Sequence, residues 1–261
     1  MSLSTRPLGS TGIAVSPLGL GTVKFGRNQD VKYPQAFSLP SDREIEKLLG
    51  LARDLGVNLL DTAPAYGSSE QRLGRLLETR EHWVIGSKVG EEFVSGKSFY
   101  DFSAKHTRHS VERSLRNLGT DYLDYVLIHS DGTDMHILQQ TEVVACLLQL
   151  KEEGKVRAVG MSSKTVDGGQ LAAEQLDLVM VAYNPSHQEE LPVLDRANDL
   201  GKGVVIKKAL NSGHLGSGQS QSAAANFEFV FAHPAVDSVI VGTISPEHLQ
   251  ANVAAVSAIL A

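Results

Sequence analysis

Short apolar runs rich in β-branched residues alternate along the chain with stretches of helical period. The runs fall at Pro17–Thr22, Val57–Asp61, Trp83–Val89, Tyr125–His129, Val156–Met161, Leu178–Tyr183, Gly203–Lys208 and Val236–Gly242. Their continuous apolar character predicts strands covered on both faces, and the helices between them predict a parallel sheet. Capping residues mark helix starts: Ser41-Asp42 before EIEKLLGLARDLG, Asp134 before MHILQQTEVVACLLQLKEEG, and Ser245-Pro246 before EHLQANVAAVSAIL. Eight such units in 261 residues fit an α/β fold closed as a (β/α)8 TIM barrel, one domain over residues 1–261. An open, doubly wound sheet is the alternative. It is disfavoured because Gly19-Leu20-Gly21 runs into Thr22 without a G-x-G-x-x-G helix start. Ahead of the first barrel strand, Arg6–Val15 with Gly-Ser-Thr-Gly at its turn predicts a short N-terminal β-hairpin closing the barrel floor.

Charge narrows the partners. With 24 basic and 30 acidic residues interspersed, the formal net charge is −6, which argues against a nucleic-acid or anionic-membrane partner. A small anionic ligand needs only a local basic patch and stays open. The single cysteine, Cys146, sits in a helical apolar stretch and reads as a buried thiol. No apolar run is long enough for a bilayer, and the start, MSLSTRPLGSTG, lacks a signal-peptide pattern, so a cytoplasmic location is expected. Oligomeric state is not legible.

In a barrel, residues at the C-terminal ends of strands face the active site. That rule gathers Asp61 from the second strand, Tyr66 from the loop after it, Lys88 from the third and His129 from the fourth. A phenol with a pKa of about 10 is a poor acid at neutral pH. A neighbouring ammonium would stabilise its phenolate, with Asp61 holding Lys88 charged and His129 orienting a substrate oxygen. Each residue alone has a structural reading: a bracing ion pair, a core histidine, a loop tyrosine. Four at one rim favour catalysis. Phosphate binding at the ends of strands seven and eight points to Lys207 or Lys208, to Ser212, Gly213 and Leu215, and to Gly242 and Thr243 before the last helix.

The segments GVNLLDTAPAYGSSEQRLGRLL, SKVG, YLDYVLIHS and LKEEGKVRAVGMSS resemble the aldo-keto reductase family in order and spacing. The resemblance runs from about Arg6 to the C-terminus. It implies NAD(P)(H)-dependent reduction of aldehydes or ketones, or the reverse, without metal. Tyr66 would be the general acid, Lys88 and Asp61 its tuning pair and His129 the orienting group. The same resemblance places Gly21, Thr22, Ser162 and Ser163 near the nicotinamide, Leu210 along the strand-seven loop, and His248 and Asn252 at the adenosine end. It favours NADP(H), with NAD(H) as the alternative.

Several positions depart from the family pattern. Gly242 and His248 stand where a basic residue and an arginine are frequent. Ser163, Met180 and Lys207 replace an asparagine, a glutamine and an aromatic ring of the nicotinamide subsite. Ser130-Asp131-Gly132 follows His129 where a tryptophan-proline pair is common, and the chain ends with its last helix. These features suggest an open pocket for small aldehydes, with Lys24-Phe25, Asp131 and the aromatic loop Gly90–Phe102 nearby. Phe93, Phe99, Tyr100 and Phe102 of that loop read equally as lid or as packing. Two further functions stay open: a Lys88 Schiff-base lyase, and a cofactor-binding sensor or partner subunit with little turnover.

Overall fold

The computed structural model describes residues 2–31, 36–211 and 222–261. A hairpin comes first, β1 (Arg6–Pro7) with β2 (Ala14–Val15). There follow β3 (Leu18–Gly21), α1 (Val23–Gly26), α2 (Asp42–Asp54), β4 (Leu59–Asp61), α3 (Ser69–Leu76) and β5 (Val84–Val89). A second hairpin, β6 (Glu91–Val94) with β7 (Lys97–Tyr100), precedes α4 (Ala104–Leu118) and β8 (Leu123–His129). Next come α5 (Asp134–Gln140), α6 (Val143–Glu152), β9 (Val156–Ser162), α7 (Val166–Gln175) and β10 (Leu178–Ala182). The remainder is α8 (Leu191–Asp199), β11 (Gly203–Lys207), α9 (Ala223–Phe231), β12 (Ser238–Val241) and α10 (Pro246–Ile259). Strands β3, β4, β5, β8, β9, β10, β11 and β12 close into a parallel barrel in chain order, β12 pairing back onto β3.

Two apolar layers hold this arrangement. Inside the barrel, Leu59, Val84, Tyr125, Leu127, Leu178, Met180 and Val205 meet Leu8, Ile13 and Val15 of the first hairpin. That hairpin plugs the floor: Ser10 N–H donates to Gly201 O just before β11, and Gly9 N–H donates to Asp237 Oδ2 just before β12. The alternate strand residues, among them Leu60, Ile85, Val126, Ile128, Val159 and Val204, pack outward beneath the helices. Polar chemistry is left to the opposite mouth.

Because both strand faces are apolar, shape has to help fix the register. Tyr125 pairs with Gly86 across β8 and β5, and its ring lies where a side chain at Gly86 would stand. A Cβ there would come within 2.0 Å of two ring carbons. Gly86→Ala is therefore expected to destabilise the fold by about 1–3 kcal/mol, measured by urea unfolding. A variant as stable as the parent would show that the ring can move aside.

One predicted helix divides. The stretch after Asp134 forms α5 and α6, separated by extended backbone at Thr141 (φ −114°), whose hydroxyl donates back to Ile137 O. Thr133, not Asp134, occupies the cap position. The buried Asp134 carboxylate instead accepts from Lys164 N–H, Thr165 N–H and the Thr165 hydroxyl, and Ser130 Oγ contacts its other oxygen. It ties the loop after β8 to the loop after β9, both at the barrel mouth.

Candidate active site

Asp61 is the last residue of β4, Lys88 the penultimate residue of β5 and His129 the last of β8. Tyr66 ends a 3-10 turn, Pro64–Tyr66, that begins three residues after Asp61. The turn is built by its own sequence. Proline presets φ at its first position. Gly67 follows at φ +62°, where a Cβ would stand 2.2 Å from Gly26 O. A chain of hydroxyls braces it from below: Thr62 Oγ1 lies 3.2 Å from Ser69 Oγ, Ser69 donates to Thr22 Oγ1, and Thr22 donates to Asp61 O. The run DTAPAYGSS thus supplies Asp61 and Tyr66 of the candidate site together with part of their support.

Lys88 is the hub. Its Nζ donates to Asp61 Oδ1 at 2.7 Å and to Thr62 O at 2.9 Å, and lies 4.9 Å from the centre of the Tyr66 ring. Burial works against the Lys88 charge, but Asp61 and Tyr66 outweigh it and hold the amine above its ordinary value. Tyr66 behaves differently from the sequence expectation. Burial raises its phenol, and Asp61 adds to the rise; the Lys88 ammonium offsets only part of it. Tyr66 is therefore protonated at neutral pH, held as a donor.

The Tyr66 and His129 rings meet edge to face, centroids 6.4 Å apart. His129 Nδ1 lies 2.7 Å from Glu91 Oε2, an ion-pair distance with the N–H off the line of a true hydrogen bond. Glu91 also accepts from Ser98 Oγ at 2.6 Å, and its Oε1 lies 3.6 Å from Arg27 Nη1. Burial opposes the Glu91 charge, yet His129, Ser98 and Arg27 hold the carboxyl down at about 2. Burial lowers His129, with Lys88 and Lys207 adding to the fall and Glu91 opposing it. Sequence reasoning missed Glu91 and Arg27: the first lies beyond the strand end, and neither belongs to a spacing pattern.

These groups share one cavity of about 1180 Å³. Its wall includes Asp61, Tyr66, Lys88 and His129, and also Gly21, Thr22, Ser162, Ser163, Lys207, Lys208, Leu210, Gly242, Thr243, His248 and Asn252. Ser212, Gly213 and Leu215 lie outside the described residues. Lys207 Nζ donates to Ser162 Oγ at 2.8 Å and to Ser163 O at 2.7 Å. Burial pushes this amine down to about 8, with Lys208 and Lys164 adding to the fall and Glu190 opposing it. The Ser163 hydroxyl is engaged elsewhere, donating to the buried Glu190, whose other oxygen accepts from Ala182 N–H. At the far end, Ser245 caps α10 by accepting from His248 N–H, and Thr243 Oγ1 accepts from Ser245 N–H.

The aromatic loop divides its work. Phe93 lies under the Arg27 guanidinium at 3.5 Å, Phe102 packs on the core, and Tyr100 stacks on Phe102 while lining the cavity. Phe99 is exposed. Two expected substrate contacts do not form. Phe25 is wholly buried in the core, and Asp131 is outside the cavity wall, accepting from Thr133 in a local turn.

The sequence pattern of the Aldo/keto reductase family matches residues 17–228. A crystal structure of a Pseudomonas aeruginosa protein assigned to the aldo-keto reductases superposes with a TM-score of 0.90 at 54% identity, covering 98% of this chain and 95% of that one. L-galactose dehydrogenase of Arabidopsis thaliana is 26% identical over 98% of this chain and 88% of its own length. NADH-specific methylglyoxal reductase of Escherichia coli is 33% identical over 73% of this chain and 60% of its own length.

Proposed function

The chain belongs to the Aldo/keto reductase family, and from that membership we propose that it reduces aldehydes or ketones with a nicotinamide cofactor, Tyr66 delivering the proton. The observation that carries this reading is the Lys88 ammonium, bonded to Asp61 and set against the Tyr66 ring at the mouth of the barrel. The cavity fits the cofactor in size, since pockets for drug-sized ligands run about 300–1,000 Å³ and this one holds about 1180 Å³. It also fits in donors. Gly242 and Thr243 can bring backbone N–H groups to phosphate at one end, whereas at the start of α10 Pro246 has no N–H and the His248 N–H is already held by Ser245 Oγ. His248 and Asn252 lie beside them, Lys208 and Leu210 along the wall, and Gly21, Thr22, Ser162, Ser163 and Lys207 at the reacting end. When bound, the cofactor supplies the hydride.

The chain's own residues handle the proton. The Tyr66 O–H donates toward the oxygen that becomes an alkoxide, and the nearby Lys88 ammonium stabilises the phenolate left behind. Asp61 and Thr62 O hold that ammonium in place. In its doubly protonated form, His129 donates from Nε2 to the same oxygen and orients it. A Schiff-base role for Lys88 fits poorly, because a nucleophilic amine must be neutral and this one is held charged. Borohydride treatment with an aldehyde is expected to leave Lys88 unmodified.

Small aldehydes are the proposed substrates, and the test is cofactor oxidation across a panel of aldehydes and ketones. Tight cofactor binding with no turnover would instead support a sensor. Family resemblance favours NADP(H), yet Gly242 and His248 bring no permanent charge to a 2′-phosphate. The dissociation constants for NADPH and NADH are therefore expected to lie within about tenfold of each other, and His248→Arg to tighten NADPH alone by about tenfold. Equal tightening of NADH would remove His248 from the phosphate site.

A further inference from the structure

We propose that Glu91 is a positioning residue for proton delivery: from the β6–β7 hairpin it holds the Nδ1 edge of His129, so that the ring, once it has taken a second proton from solvent, presents Nε2–H to a bound oxygen that becomes an alkoxide. Its role in turnover rests on the carbonyl-reductase reading; its hold on His129 does not.

The first support is the geometry of the carboxylate. Glu91 is 8% exposed, and a buried charge is costly unless matched. Ser98 and Arg27 both engage Oε1. Oε2 is the oxygen that approaches His129, at 2.7 Å. A purely structural role in anchoring Arg27 would need only the first oxygen.

The second support is how firmly the hairpin is held. Arg27 donates to Ala65 O, the residue before Tyr66, and to Gln29 O and Asp30 O, and it covers the Phe93 ring. The element carrying Glu91 is thereby tied to the turn carrying Tyr66. Displacing one would disturb the other.

The third support is the balance of charge around the ring. His129 faces the Lys88 ammonium on β5 and the Lys207 ammonium on β11, both of which disfavour its protonation, as burial does. Tyr66 meets it from the 3-10 turn. Asp61 on β4 is already bonded to Lys88. Glu91 is the anion in contact with the ring. Without it, nothing in contact with the ring would offset burial and the two cations, and the His129 pKa would fall further.

The test is an NMR titration of the nine histidines in the ligand-free protein, with His129 assigned by its loss in His129→Asn. Glu91→Gln is expected to lower the His129 midpoint by about one pH unit, and Glu91→Asp to restore part of the shift. Superimposable titrations of the parent and Glu91→Gln would overturn the proposal. Should Glu91→Gln fail to fold, the parent's ring-nitrogen shifts decide. Above the midpoint the proton should reside on Nδ1, facing Glu91, and an Nε2-protonated ring would overturn the proposal. None of these readouts needs cofactor or turnover. In the active enzyme, reduction by Glu91→Gln should fade at lower pH than in the parent, with the cofactor dissociation constant unchanged. An unmoved rate profile beside a moved NMR midpoint would overturn the role in proton delivery. Absence of reduction by the parent would count against the reductase reading instead.

Discussion

Tyr66→Phe is expected to slow carbonyl reduction by about 10²–10⁴-fold, the range for losing a positioned general acid. Phenylalanine keeps the ring that packs edge to face with His129 and lies 4.9 Å from Lys88 Nζ. What disappears is the O–H, so cofactor affinity should stay within about twofold of the parent. Steady-state rates and a fluorescence titration of the cofactor check the two halves. Unchanged turnover would remove Tyr66 from the acid role. The raised Tyr66 pKa adds a direction. Reduction needs the protonated phenol, present throughout the neutral range, whereas alcohol oxidation needs the phenolate. Oxidation should therefore gain on reduction as pH rises, and a ratio independent of pH would contradict Tyr66 as the shared proton carrier.

Strand ends were the most legible part of the site. Asp61, Lys88, His129, Ser162 and Lys207 all fall within one residue of the end of an apolar run, and period alone separates those runs from the helices. The floor hairpin was legible too, because Gly-Ser-Thr-Gly between short apolar pairs leaves few other conformations. What escaped depends on side chains that cross between elements. Glu91 could be placed in the loop after β5, but its approach to His129 follows from how β6 and β7 fold back. Asp134 reads as a helix cap in sequence, yet the loop after β9 offers its carboxylate three donors. Phe25 and Lys24 are neighbours with opposite fates, one in the core and one on the cavity wall, because one step along a helix changes the face presented. The family pattern marks Ser163 as a cofactor contact, but its hydroxyl finds Glu190, which no spacing rule connects to it.

Lys88→Met should cost the fold about 3–5 kcal/mol as well as its activity, because it strands a buried carboxylate. Lys88 is 2% exposed and Asp61 4%, and they meet at 2.7 Å. Asp61→Asn should also destabilise, because an amide oxygen can still accept from the ammonium but brings no charge to balance it. The double variant Asp61→Asn/Lys88→Met should recover much of the lost stability, since neither charge is then stranded. Catalysis should not return with it, because the phenolate still lacks its cation. Urea unfolding of the four proteins gives the coupling energy, and purely additive losses would show that the two residues act independently. The pH dependence follows from the raised Lys88 pKa. A group whose folded pKa exceeds its unfolded one contributes fully below the unfolded value, about 10.4 for lysine. Its contribution is then lost as pH climbs through the folded value. The stability gap between the parent and Lys88→Met should therefore stay level across the neutral range and narrow only in strong base. A gap that closed near neutrality would mean that Lys88 is not held charged, and Tyr66 would then lack the cation that lets it give up its proton.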